Sequence, residues 1–77
     1  MKHPPIAVLG AGSWGTALAL LLAKNQQTVH LWSHNPSHIA EIQTTRYNAK
    51  YLPDFLLSDN VLLFSDIAKA LTEISDI

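Results

Sequence analysis

The sequence predicts an α/β fold built on a parallel sheet, from three observations. Ile6-Ala7-Val8-Leu9 is an unbroken apolar run closed by Gly10, the pattern of a strand buried on both faces. Gly10, Gly12 and Gly15 follow as G-x-G-x-x-G and are all the glycines among 77 residues, so the spacing does not come from glycine-rich composition. An apolar helical run begins at once, and a β-rich run, 28–32, comes after it. Strand, glycine turn, helix and strand over ~30 residues make one βαβ unit. Together they describe the N-terminal βαβ part of a Rossmann-type dinucleotide-binding domain.

Each glycine has a physical task in such a unit. Gly10 lets the chain turn sharply from strand to helix. Gly12 lacks a side chain where a cofactor pyrophosphate must approach the backbone. Gly15 lets the helix pack close against the strand. The pyrophosphate would meet the helix N-terminus, where the first N–H groups have no intrahelical partner and the dipole favours negative charge. The plainer alternative is a glycine turn that only seats a helix on a sheet.

In chain order, Pro4 and Pro5 cannot donate to a ladder, so the first strand spans 6–10. The first helix spans 13–25. Ala17, Leu18, Leu21 and Leu22 form its apolar stripe, with Ala19, Leu20 and Ala23 widening it, and the helix is expected to be largely buried. Lys24 suits its C-terminal dipole and Asn25 is its stop. Gln26 and Gln27 connect to the second strand, 28–32, whose crossover should be right-handed. Asn35-Pro36 is a cap followed by a first-turn proline, and starts a helix over 36–46. The stretch 47–60 contains Leu52-Pro53-Asp54 and Ser58-Asp59-Asn60 and reads as loop. Val61 to Phe64 is a compact strand. Ser65 or Asp66 caps a helix over 66–73, with Ile67, Ala70, Leu71 and Ile74 on one side, and 75–77 looks like the start of another strand.

Composition is ordinary: 48% hydrophobic, 14% charged, net charge −1. No basic cluster points to nucleic acid, and no run is long enough to insert in a membrane. The absence of cysteine excludes thiolate metal sites and disulfides. A signal-peptide reading of 2–23 is weakened by three glycines, Ser13 and Thr16 inside the apolar stretch, and by bulky Leu21 three residues before a cleavage after Ala23. A complete two-part dinucleotide domain needs about twice this length. Residues 1–77 are therefore expected to be one part of such a domain.

An NAD-binding unit places Asp or Glu ~20 residues beyond the first glycine, on the ribose 2′-OH. Here Ser33 takes that place, and the first carboxylate of the chain is Glu41. An acid would repel a 2′-phosphate, whereas a hydroxyl can donate to one. His34 can add a donor, or a cation when protonated. The residues favour NADPH, or tolerance of both cofactors, over strict NAD; the plainer reading of His34 is a solvated loop residue. His34 and His38 have metal spacing, but Pro36 starts a helix between them and no third ligand completes a set. His30 reads as a hydrogen-bonded core residue, and no pair of aspartates reads as an acid–base couple. Trp14 can pack on the cofactor, wall the substrate side, or simply pack under the helix.

Three segments carry a more specific signal: Gly10-Ala11-Gly12-Ser13-Trp14-Gly15-Thr16-Ala17-Leu18-Ala19, Leu31-Trp32-Ser33-His34-Asn35-Pro36, and Asn48-Ala49-Lys50-Tyr51-Leu52-Pro53. The chain resembles the bacterial NAD(P)-dependent glycerol-3-phosphate dehydrogenases, over about their first quarter. The resemblance implies cofactor contacts at Ser13, Trp14 and His34, with NADP or NAD as cofactor. It implies hydride transfer between the nicotinamide and C2 of dihydroxyacetone phosphate, a small phosphorylated substrate, for phospholipid synthesis. A cytoplasmic location and a homodimeric assembly go with it. The family's catalytic lysines and helical substrate domain belong to later segments, so Lys2, Lys24, Lys50 and Lys69 are assigned no catalysis. One departure is Gln26, where the family often has glycine after Asn25; only the helix stop should change.

The cofactor-binding set expected is Gly10, Gly12, Ser13, Trp14, Gly15, Ser33 and His34. Two other functions compete with part of a dehydrogenase: a non-catalytic NAD(P)-binding or sensing module, and a small α/β interaction protein without a ligand. NADPH binding separates the last from the other two.

Overall fold

The computed structural model describes residues 4–48 and 52–72, with the backbone alone at 52–54. Its elements are β1 (Ile6–Leu9), α1 (Ser13–Lys24), β2 (Val29–Trp32), α2 (Pro36–Thr45), β3 (Tyr47–Asn48), β4 (Leu52–Leu56), β5 (Val61–Phe64) and α3 (Ile67–Ala70). β1, β2 and β5 form a parallel sheet in that order. Ile6 pairs with Val29 and Val29 with Val61, so the strand starts are level. The expected parallel α/β architecture is present.

The ladder starts at Ile6, whose N–H donates to the Thr28 carbonyl at 2.9 Å. β1 ends one residue earlier than expected because Gly10 turns away at φ +128°. One face of the sheet carries Val8, Val29, Leu31, Val61 and Leu63, packed with Ala19, Ala23, Ile39, Ile42 and Leu57. The other face carries Leu9 and Leu62, 54% and 42% exposed, and is covered only around His30, where α3 sits. Strand one is thus not buried on both faces among the described residues. His30 is the core residue expected, with Nδ1 2.8 Å from the Ala70 carbonyl and its ring against Phe64.

Helix α1 buries Thr16, Ala19 and Ala23, with Leu20 and Leu22 partly buried. The structure differs from the expected stripe: Ala17, Leu18 and Leu21 are exposed, and of its four residues Leu22 alone packs against the core. The small residues face the sheet because they allow close approach, and a helix apolar all round gives periodicity little to choose from. Its end follows Asn25 as expected. The Gln26 N–H donates to the Ala23 carbonyl and the Gln27 N–H to the Leu22 carbonyl, both at 3.0 Å. That pair is a Schellman motif with Gln26 at the left-handed position, φ 66°.

Asn35 caps α2, its Oδ1 accepting from the N–H groups of Ser37 and His38 at 3.0 and 3.2 Å, with Pro36 at the first helical position. Arg46 is left-handed at φ 64° and stops the helix. Its Nη2 donates to the Ser58 and Val61 carbonyls at 2.6 and 2.9 Å. The stretch expected as loop, 47–60, contains an antiparallel ribbon instead, β3 with β4. Two strands suffice to pair backbone groups there, and Pro53 is tolerated because β4 pairs with β3 alone among the described residues. Asp66 caps α3 through Ala68 and Lys69. That helix is shorter than expected, and Ile74 and the strand expected at 75–77 lie outside the described residues.

Candidate functional site

The carboxyl ends of β1 and β2 lie side by side, because the Gly10 N–H donates to the Trp32 carbonyl at 2.9 Å. Above them is a cleft of about 260 Å³. Gly10, Ala11 and Gly12 line one side of it; Trp32, Ser33, His34, Asn35 and His38 line the other. No carboxylate is among these residues. Ligands of open α/β sheets occupy this position, outside the carboxyl ends of the strands.

The glycine turn presents bare backbone to the cleft. A Cβ built on Gly12 meets nothing within 4 Å, so this backbone faces open space. Gly12 is also the N-cap of α1, a residue with no side chain to cap that helix end. The open Gly12 backbone and a helix start whose cap residue has no side chain together fit a pyrophosphate, which would bring the acceptors that a capping side chain otherwise supplies. Gly15 stands behind the turn, against Gly10 and Val8, and does not line the cleft.

Ser33 directly follows β2. Its N–H extends the ladder to the Phe64 carbonyl at 3.0 Å, and its Oγ accepts from the Asn35 N–H at 3.3 Å. Accepting uses a lone pair, so the hydroxyl proton can serve a second partner. His34 is exposed beside it, with its ring centroid 6.3 Å from that of Trp32. Trp32 is held by its indole N–H, which donates to the Ser65 carbonyl at 3.1 Å. The cleft therefore gathers Gly10, Gly12, Ser33 and His34 from the expected set. Ser13 and Trp14 sit outside it on the first turn of α1. Trp14 is 89% exposed, so among the described residues nothing packs it under the helix.

Sequence reasoning missed Trp32, Asn35 and His38 as cleft residues, and missed Asn48 behind it. The i, i+3 spacing from the Asn35 cap to His38 was legible; the partner of His38 was not. His38 Nε2 lies 2.8 Å from Asn48 Oδ1. Among the described residues no three His, Cys, Asp or Glu side chains cluster to hold a metal. No described helix is long and apolar enough to cross a membrane. A larger groove of about 720 Å³ runs between α1 and β4, but it is mainly apolar. Its Asn60 is engaged with Ser58 and with the carbonyls of Ala23 and Gln27.

The family model described as the N-terminus of NAD-dependent glycerol-3-phosphate dehydrogenase matches residues 5–77. A glycerol-3-phosphate dehydrogenase (NAD(P)+) of Haemophilus influenzae is 49% identical over 76 residues, covering 99% of this chain and 23% of the relative. One from Photorhabdus laumondii is 50% identical over 72 residues, covering 94% of this chain and 21% of the relative. The crystal structure of glycerol-3-phosphate dehydrogenase from Coxiella burnetii superposes with a TM-score of 0.89 at 44% identity, over 92% of this chain and 22% of that one. The yeast glycerol-3-phosphate dehydrogenase shares the fold, with a TM-score of 0.79 at 24% identity over 96% of this chain and 24% of that one. The chain thus spans less than a quarter of the length of the curated relatives it matches. With its glycine turn, its parallel β1-β2-β5 sheet and a family match from Pro5 to Ile77, the chain belongs to the NAD(P)-dependent glycerol-3-phosphate dehydrogenases, as their N-terminal, cofactor-domain segment.

Proposed function

We propose that residues 1–77 are the adenine-side half of the NAD(P) site of a cytoplasmic sn-glycerol-3-phosphate dehydrogenase. The nicotinamide supplies or takes the hydride exchanged with C2 of dihydroxyacetone phosphate, and the product feeds glycerophospholipid synthesis. The observation that carries the reading is the cleft in which Gly10 and Gly12 face Ser33 and His34. In this reading Gly12 leaves room for the pyrophosphate, and the start of α1, with Ser13 and Trp14, receives it. Ser33 and His34 hold the ribose 2′-phosphate. The absence of a carboxylate from the cleft favours NADPH, since an acid there would repel that phosphate.

Hydride transfer needs nicotinamide and substrate in near-attack geometry, with an acid to protonate the developing alkoxide. We assign those groups, the small phosphorylated substrate and the homodimer contacts to segments beyond this chain. The length of the relatives supports that division. The test is NADPH oxidation with dihydroxyacetone phosphate, comparing 1–77 with the same chain extended to the length of its relatives. Turnover by the extended protein alone is expected. Turnover by 1–77, or none by the extended protein, overturns the reading.

A further inference from the structure

Asn48 is fully buried, and its carboxamide joins three elements. Nδ2 donates to the Ala11 carbonyl at 2.8 Å and to Thr16 Oγ1 at 2.7 Å; Oδ1 lies 2.8 Å from His38 Nε2. The orientation is determined by chemistry. The Ala11 carbonyl can only accept, so the amide nitrogen must face it. Oδ1 then faces His38, which must carry a proton on Nε2. A buried amide is costly without partners, and this one engages both of its ends.

The partner that matters is Ala11, between the two glycines of the turn. A peptide unit is planar and trans, so the Ala11 carbonyl and the Gly12 N–H point in opposite directions. Holding the carbonyl inward on Asn48 turns the Gly12 N–H away from the interior. Gly10 and Gly12 flank Ala11, and glycines oppose a peptide flip least. The two glycines therefore leave this orientation open to being set by a contact from outside the turn. We propose that Asn48, supported by His38, is the positioning residue that presets the Ala11–Gly12 peptide for the cofactor diphosphate. The proposal rests on the dinucleotide reading above and adds a residue that does not line the cleft.

The test uses the complete protein and three probes: NADPH, NADH, and adenosine 2′-monophosphate, which lacks the diphosphate. N48D keeps the acceptor for His38 but sets a carboxylate against the Ala11 carbonyl. The Kd for both dinucleotides should rise about tenfold, the loss expected from one misdirected buried hydrogen bond. Their ratio should not change, and adenosine 2′-monophosphate should bind within about twofold of the unsubstituted protein, because its site is on the β2 side. T16V removes one bond of the same amide but spares Ala11, and should weaken NADPH less than about threefold. If N48D does not fold, N48S is read in the same way. Parallel weakening of all three probes makes Asn48 a merely structural residue and overturns the proposal, as does unchanged NADPH affinity in a folded variant. If the unsubstituted protein binds no dinucleotide, the cofactor reading falls as well. If it binds and N48D binds equally, only this inference falls.

Discussion

The Cβ that Gly15 lacks would fall on the carbonyl oxygen of Gly10, with the Gly10 carbonyl carbon 3.0 Å and Val8 Cγ1 3.4 Å away. Two of these three neighbours are backbone, in a turn whose φ of +128° only glycine adopts readily. Helix α1 thus meets the end of β1 more closely than any side chain allows.

Gly15→Ala should therefore destabilise the protein despite improving helix propensity. The propensity gain is about 1 kcal/mol, and overpacking against backbone costs up to about 3 kcal/mol. A net loss of about 2 kcal/mol is expected in urea denaturation. A variant as stable as its parent would contradict the close approach.

Gly12→Val should show the opposite separation. Its Cβ meets nothing in the protein and its φ is −82°, so the fold should survive. The added atoms would take pyrophosphate space, and NADPH affinity should fall at least about a hundredfold, a loss of ~3 kcal/mol. Calorimetric titration beside a melting curve reads both quantities. Retained affinity would remove the phosphate from this turn.

Ser33→Asp should move cofactor preference toward NADH. A carboxylate repels a 2′-phosphate and accepts from a ribose 2′-OH. The ratio of kcat/KM for NADPH and NADH should fall at least about tenfold, equivalent to ~1.4 kcal/mol. An unchanged ratio would take Ser33 out of the ribose position.

Gln26→Gly should stabilise the chain. The left-handed conformation costs a non-glycine residue about 1–2 kcal/mol, against ~0.5–1 kcal/mol of extra unfolded-state entropy for glycine. A gain of about 0.5–1 kcal/mol is expected by equilibrium denaturation, with NADPH affinity unchanged. Loss of stability would mean that the Gln26 side chain does more than tolerate its φ of 66°.

Arg46→Met should destabilise by about 2 kcal/mol, since charge-assisted bonds to the Ser58 and Val61 carbonyls are lost while the stem volume is kept. The same denaturation series checks it, and a change under ~0.5 kcal/mol would show the tie to be slack.

Much of this fold was readable because its signals are local. Gly10, the Asn35-Pro36 start and Asp66 act on neighbouring backbone groups, and Val61 to Phe64 has no competing periodicity. The unreadable parts depend on distant partners. Helix α1 is apolar on nearly every face, so only the sheet decides that Ala19 and Ala23 turn inward and Leu21 outward. Asn48 looks like loop chemistry until Ala11, 37 residues away, is seen to bind it. Arg46 offers no sequence cue for a left-handed backbone, and the β3–β4 ribbon follows from the turn it makes. Of the cleft, Gly10, Gly12, Ser33 and His34 were legible from a motif and a strand end, whereas Trp32 and His38 needed the third dimension.

The register of the parallel sheet has a kinetic consequence. Ile6 meets Val29, and Val29 meets Val61, so each ladder joins residues separated by a whole helix or more. Those loops must close before any strand bond forms, and closure entropy is lost ahead of the contacts that offset it. On a ribosome, β2 can have its first neighbour early but waits until Phe64 has emerged for its second. The glycine turn therefore acquires a stable platform late, and folding of this segment should be limited by joining the strands rather than by forming its helices.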